Sequence, residues 1–379
     1  FIRRRRVRLN GAMSSCSKFR KSLMTLLQNG RRYFDWNASS LLCERSRHSL
    51  VSNLDLVGNA SSVHSEGREA RNIIERSRDD IMDLLGLDSG TIIFTSGASE
   101  SAALLLHDKK MECSAIEHDC VKKWCNVSIP TMKNGLVCVS ESQKNLALQI
   151  ANSETGILQN MPQGIACSDA VQAVGKIDCK FDELQPDAFF LASHKVCGPK
   201  GVGVLFVKDE DLVQPTVIGG NQEFGLRAGT ENFLLIAAFS EALAYSINLV
   251  KNGVWQEIEV LRNMLENEVR EISKNTIVVG EKEKRLPNTS CIITPGWKGE
   301  SQVIGLDLEG FSVSSGTACS SGKISEVIML KEMEYNEDLT HSSIRVSLGP
   351  DTKKSDIEAF IFSWKQLYSR HIKTGNLYK

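Results

Sequence analysis

The 379-residue chain has no Cys-x-x-Cys pair and no His-rich cluster, although it holds eleven cysteines. Structural zinc sites need close ligand spacing of that kind, so no metal site is expected. An odd number of cysteines speaks against a closed disulfide framework, and free thiols fit a reducing compartment. Net charge is also nearly absent, with 45 Lys and Arg against 46 Asp and Glu. That balance supplies no field to attract nucleic acid or an anionic lipid surface, so neither is expected as a direct partner. No apolar run approaches the length of a membrane span. No G-x-G-x-x-G follows the first buried strand, which removes the usual signal of a dinucleotide fold. Acidic residues are missing altogether from Phe1 to Phe34, where Arg3-Arg4-Arg5-Arg6 stands near the start. Such a segment fits a mitochondrial transit peptide, a stretch ahead of a start at Met13, or a basic arm for an acidic partner. On each reading residues 1–32 form a disordered extension.

What is present alternates. Apolar positions Ala70, Ile73, Ile74, Ile81, Leu84 and Leu85 share one helical face before Gly86,. Thr91-Ile92-Ile93-Phe94-Thr95 then reads as a buried strand, and a helix follows the Ser96-Gly97 turn. Further strands are expected near residues 114–117, 136–140, 147–151, 165–168 and 202–207, with helices between several of them. This pattern predicts an α/β fold with a mostly parallel mixed sheet covered by helices. Long amphipathic helices are expected over 231–249 and 255–273. Beyond them short strands and helices suggest a smaller α+β C-terminal domain. The expected division is 33–47 as an N-terminal segment packing with the small domain, 48–250 as the large domain and 251–379 as the small one.

Polar residues gather at the predicted strand ends. Lys195 follows Ala188-Phe189-Phe190-Leu191-Ala192, and Asp169 follows Ile165-Ala166-Cys167-Ser168. His118 follows Ala115-Ile116-Glu117, and Asn152 and Ser153 follow Leu148-Gln149-Ile150-Ala151. Open α/β sheets bind ligands at this edge. A lysine losing hydration there has a lowered pKa, and its neutral amine can form a Schiff base. Taken singly, a strand-end lysine is more often a solvated charge, and Ser96-Gly97 is more often a helix cap. Together the four strand ends and the anion site at the helix start match the needs of pyridoxal 5'-phosphate.

The order of several stretches resembles the cysteine desulfurases of the class V aminotransferase family, NifS/IscS-like, over Tyr33 to about Tyr368. They include Phe94-Thr95-Ser96-Gly97-Ala98-Ser99-Glu100, Glu117-His118, Asn152-Ser153-Glu154-Thr155-Gly156, Asp169-Ala170-Val171-Gln172, Ser193-His194-Lys195, Arg227-Ala228-Gly229-Thr230, Ser314-Ser315-Gly316-Thr317-Ala318-Cys319 and His341-Ser342-Ser343-Ile344-Arg345. The resemblance implies a fold-type I pyridoxal-phosphate enzyme that turns L-cysteine into L-alanine. Lys195 would carry the cofactor, Asp169 would pair with its pyridinium nitrogen, and Gln172 would touch its phenolic oxygen. His118 would stack on the ring and shuttle a proton. Gly97, Ala98, Ser99, Ser193 and His194 would line the phosphate pocket, and Asn152 and Ser153 would contact cofactor or substrate. Arg345 would clamp the substrate carboxylate in a bidentate manner. Cys319, in a loop of small polar residues, would take the sulfur as a persulfide, with Lys195 as the base.

Thr230 would reach the phosphate of a second subunit, which implies a homodimer. The implied partners are L-cysteine and a sulfur-acceptor protein, either an iron–sulfur scaffold or a sulfur carrier, with tRNA thiolation as another destination. The resemblance leaves a selenocysteine lyase, an aminotransferase and a weakly active partner-binding subunit as alternatives. The stretch Arg227 to Asn232 resembles bacterial members more than mitochondrial ones, which favours bacterial cytoplasm. The mitochondrial matrix is the alternative if the basic segment is a transit peptide. Three departures bear on the site, one of them Ala102-Ala103 where the family commonly has a polar asparagine. Ser153 stands where the family usually has a second asparagine, and Ala192 where it has a serine; Ser193 is expected to supply the missing hydroxyl.

Overall fold

The computed structural model describes residues 31–316, 319–320, 323–324 and 328–377. Residues 1–30, most of the basic extension, lie outside the described residues. The central sheet has five strands: β1 (Thr91–Thr95), β2 (Ala147–Gln149), β3 (Cys167–Asp169), β4 (Ala188–Ala192) and β5 (Gly203–Val207). Their spatial order is β1-β5-β4-β3-β2. β5 is antiparallel to both neighbours, while β4, β3 and β2 pair in parallel. Four strands therefore run one way and one is reversed, the mixed and mostly parallel sheet that the alternation predicts.

β1, β4 and β5 are buried on both faces, so they read as unbroken apolar runs. Ile92, Phe94, Phe189 and Phe206 face one helical layer, from helices α1 (Ser65–Leu85) and α4 (Phe233–Lys251). Those helices contribute Ile74, Ile81, Phe239 and Leu243 to that layer. Ile93, Phe190 and Leu205 face the other, where Leu104 and Leu105 of α2 (Ala98–Leu106) and α3 (Asp119–Lys122) with Val121 pack. The period of two divides each strand between two cores. Each fully buried Ile or Phe contributes about 1.5–3 kcal/mol. α1 ends as its sequence suggests, with Gly86 in the left-handed region,.

One expectation needs correction. α4 is long and apolar enough to cross a membrane by length and composition. Its inner face nevertheless packs on the sheet through Ile236, Phe239 and Leu243. The expected strand over 136–140 is also absent among the described residues. Val137 instead makes an isolated bridge to Thr131 and gives its N–H to Gln159 Oε1. A short apolar run does not distinguish a strand from a buried loop.

A second core begins after α4. α5 (Val254–Ile272) and a long C-terminal helix, Lys354–Leu377, cover a four-stranded antiparallel sheet. That sheet is formed by β6 (Ile277–Val278), β7 (Thr289–Ile293), β8 (Ser314–Ser315) and β9 (Ser343–Ser347), in the order β8-β9-β7-β6. Trp255, Ile292, Phe360 and Trp364 fill its core. The N-terminal segment touches both cores. Phe34 joins the second one, whereas the Ser40 N–H donates to the His194 carbonyl and the Cys43 N–H to the Cys197 carbonyl.

Candidate active site

A cavity of about 670 Å³ opens at the C-terminal ends of β2, β3 and β4. Its wall includes Gly97, Ala98 and Ser99 at the start of α2, together with His118, Ser153, Asp169, Gln172, His194, Lys195 and Arg345. Residues spread over some 250 positions thus meet because parallel strands end on one edge.

Lys195 sits in a single 3-10 turn, Ser193–Lys195, at the end of β4. Its Nζ donates to the main-chain oxygens of Asn37 at 2.5 Å and Ala38 at 3.0 Å. Burial, followed by the Arg345 charge, lowers its pKa to about 8. His194 beside it is lowered to about 4 by burial and by Lys195 and Lys200. Asp169 is buried at the end of β3, and its Oδ1 accepts the Val171 N–H at 2.9 Å. Burial raises its pKa above the usual carboxylate value despite His118 and Lys195 nearby. His118 caps α3, with Nδ1 accepting the Cys120 N–H at 3.2 Å. In the neutral ring the proton therefore belongs on Nε2.

At the opposite side, Gly97, Ala98 and Ser99 at the start of α2 line the cavity, and the first N–H groups of a helix have no intrahelical carbonyl to bond. Glu100 accepts the Ser96 N–H through Oε2 and the Arg227 Nε–H through Oε1 at 2.8 Å. Burial works against the Glu100 charge, but Arg227 and Ser96 outweigh it and hold its pKa below the usual value. The pairing with Arg227 offsets the charge of the Glu100 carboxylate that lies beside the helix start.

Asn37 is a site residue that sequence reasoning missed. It is buried, and its main-chain oxygen accepts from both Lys195 and Gln172 Nε2. Its Nδ2 donates to the Ser153 carbonyl and Thr289 Oγ1, while its Oδ1 accepts from Lys176 Nζ and Asn288 Nδ2. Lys176 also donates to Gln172 Oε1 at 2.7 Å, which fixes the orientation of that amide. Glu117 was likewise not singled out for a role. Its Oε1 accepts the Gln149 N–H, its Oε2 has no partner, and burial pushes its pKa well up.

Several expected site residues lie elsewhere. Ser193 is buried off the cavity wall, and its Oγ lies 2.1 Å from where a Cβ on Gly198 would stand. It therefore does not replace the hydroxyl missing at Ala192, because the 3-10 turn rotates it toward Gly198 and α4. Asn152 is also off the wall. Its Oδ1 accepts from the N–H groups of Glu154 and Thr155 and from Thr155 Oγ1, so it organises the turn that presents Ser153 and Glu154. Thr230 is exposed and away from this cavity.

Arg345 reaches the wall but offers no free pair of N–H groups. Nη1 donates to Glu154 Oε1 at 2.6 Å and the Ser153 carbonyl at 3.3 Å. Nη2 donates to Asp35 Oδ1 at 2.8 Å and Ser314 Oγ at 3.1 Å. The expected bidentate clamp is thus already occupied by the protein's own acceptors. Cys319 begins a two-residue strand paired with Lys323–Ile324, and its side chain lies outside the described residues. Its segment leaves β8, where Ser314 stands opposite Arg345.

A strand-end lysine, a buried aspartate on the neighbouring strand and an anion-binding helix start define the large-domain site of a fold-type I pyridoxal-phosphate enzyme. The chain belongs to the aminotransferase class-V family, whose model matches residues 32–122 and 126–360. It is 34% identical over 337 residues to the cysteine desulfurase IscS of Dictyoglomus turgidum, covering 79% of this chain and 84% of that one. It is 30% identical to the mitosomal cysteine desulfurase of Encephalitozoon cuniculi, with 79% and 77% covered. A solved NifS-like protein from Rickettsia africae superposes with a TM-score of 0.81 at 30% identity, over 89% of this chain and 99% of that one.

Proposed function

We propose that this protein is a pyridoxal-phosphate-dependent cysteine desulfurase that converts L-cysteine to L-alanine and holds the sulfur on Cys319. The observation that carries this reading is the meeting of Lys195, Asp169 and Arg345 around one cavity at the root of the Cys319 segment. The residues fit the cofactor. Asp169 is a buried carboxyl whose hydrogen bonding within the chain stops at Val171, and a cationic ring nitrogen would favour its charged form,. Ala98 and Ser99 would hold the phosphate at the helix start, His118 would lie along the ring, and Gln172 has one amide hydrogen left for the phenolic oxygen. Bound there, pyridoxal phosphate supplies an aldehyde for the substrate amine and a ring that takes up the electron pair at Cα.

Lys195 serves as the base for the Cα proton. Its pKa of about 8 leaves a useful neutral fraction near neutrality, and the Asn37 and Ala38 carbonyls hold the ammonium that results,. The Cys319 thiolate attacks the substrate sulfur. The Sγ–S bond forms as the Cβ–S bond breaks, and the electron pair left on carbon is later protonated to give alanine. Five residues from Ser314 span at most about 18 Å, a reach suited to travel between cavity and acceptor.

The destination of the sulfur is an acceptor protein, an iron–sulfur scaffold or a sulfur carrier. Val217, Ile218 and Phe224 are exposed on the segment leading to Thr230, which supports a homodimer in which Thr230 serves the second site. Bacterial cytoplasm is the proposed location, with the mitochondrial matrix as the alternative if the basic N-terminus is a transit peptide. Incubation with L-cysteine followed by intact-mass analysis tests the reaction. The expected result is one added sulfur atom and released alanine, both lost in Cys319→Ser. Sulfide release that survives in Cys319→Ser overturns it.

A further inference from the structure

A guanidinium has five N–H donors. Four contacts engage the two terminal nitrogens of Arg345, and the fifth donor, Nε, is buried without a partner among the described residues. The Arg345 side chain is 7% exposed. Burial opposes its charge, but Glu154 and Asp35 outweigh that and raise its pKa above the usual guanidinium value. Two carboxylates of the chain already pair with Arg345, and the Lys195 amine lies within electrostatic reach of the same group. A third carboxylate arriving from solvent meets a donor edge that is already occupied.

We propose that Glu154 is a displaceable internal carboxylate that occupies the substrate subsite on Arg345 and must leave when an amino-acid carboxylate enters. The exchange of one carboxylate for another keeps the cluster's charge constant. Glu154 is better suited to leave than Asp35. Asp35 is held in an extended segment that bridges Ser347, with flanking main-chain bonds from Phe34 to Ser312 and from Ser347 to Phe34. The Glu154 side chain is longer, projects from a turn and is 29% exposed, against 19% for Asp35. Asn152 Oδ1 holds the N–H groups of Glu154 and Thr155, so the backbone can stay in place while the side chain swings. Glu154 also lines the cavity, so its place on Arg345 is the place an incoming carboxylate would take.

The proposal rests on the desulfurase reading only in taking the incoming carboxylate to be that of an amino acid. Its test compares the wild-type holoenzyme with Glu154→Gln, which keeps an acceptor for Nη1 but removes the charge. The KM for L-cysteine should fall about fivefold with a smaller change in kcat, since a charge-assisted competitor becomes a neutral one. L-cysteinamide, which has no carboxylate, should show the same KM in both proteins. Calorimetric titration with L-alanine should show binding about fivefold tighter in Glu154→Gln, with alaninamide unaffected. Glu154→Ala should shift in the same direction. Equal or weaker L-alanine binding by Glu154→Gln, or equal shifts for alanine and alaninamide, overturns the proposal. A wild-type protein that never releases sulfur from cysteine overturns the desulfurase reading instead, and the alanine titration still decides the role of Glu154.

Discussion

The two ends of the cavity differ in how many partners their ionisable groups have. At the sheet end, Asp169 is buried and accepts one main-chain bond, and the part-buried Lys195 donates only to carbonyls, so neither has a fitted counter-ion among the described residues. At the small-sheet end, Arg345 has two carboxylates and two further acceptors. The first end is short of partners and suits a group that brings its own charges. The second is oversupplied, and binding there is an exchange. Burial alone does not tell the ends apart, because Asp169, Lys195 and Arg345 all have limited access to solvent. What separates them is which element supplies the neighbours. Strand ends present few side chains, whereas the N-terminal segment, the turn at Glu154 and β8 converge on Arg345.

The comparison breaks most sharply at Lys195. Lys195→Ala should lower turnover about a thousandfold and abolish stable cofactor retention, read from the visible spectrum after gel filtration. The same lysine should leave a mark on the cofactor-free protein. Its folded pKa is about 8 against an ordinary 10.5. Below pH 8 it is protonated in both states, and the fold bears the full cost of the buried charge. Between 8 and 10.5 the unfolded chain holds the proton and the folded one does not, so stability should rise with pH across that window. Urea midpoints should show this rise in the wild type and a flatter profile in Lys195→Met. An identical profile in the variant would mean that the amine is not desolvated.

A smaller effect is expected where the two ends are tied together. Asn37 bonds to Gln172, Lys176, Lys195 and Ser153 on one side and to Asn288 and Thr289 on the other. Asn37→Ala removes the side-chain bonds and strands Lys176 Nζ with one acceptor. The loss should be about 2–4 kcal/mol, measured by urea unfolding. A loss under about 0.5 kcal/mol would show that the two ends are positioned independently.

Much of the sheet end is legible in the sequence. β1, β4 and β5 are apolar runs closed by turns, and parallel strands bring their C-terminal residues to one edge. The arginine end is not legible in the same way. Arg345 meets Asp35 across 310 positions and Glu154 across 191, and no local pattern announces such pairs. Asn37 looks like a polar residue in an ordinary strand-like stretch, yet it is buried among seven hydrogen-bond partners from five segments. The short strand Asn126–Ile129, paired with Glu112–Ser114, is also hidden, because three of its four residues are exposed and its pattern does not alternate.

Ser193 shows how one turn decides between neighbours. From the sequence, a hydroxyl next to Ala192 looks like a fair replacement for a missing phosphate contact. In the fold Ala192 lines the cavity, while Ser193 turns toward Gly198 and its Oγ is buried with no hydrogen-bond partner. A buried hydroxyl without a partner carries its desolvation cost with no bond in return. Ser193→Ala should therefore leave stability unchanged or raise it by up to about 1–3 kcal/mol, and cofactor affinity should be unchanged. Titration of cofactor-free protein with pyridoxal phosphate measures the second quantity. A tenfold loss of affinity would put the Ser193 hydroxyl in the phosphate cradle and make the sheet end richer in partners than its geometry shows.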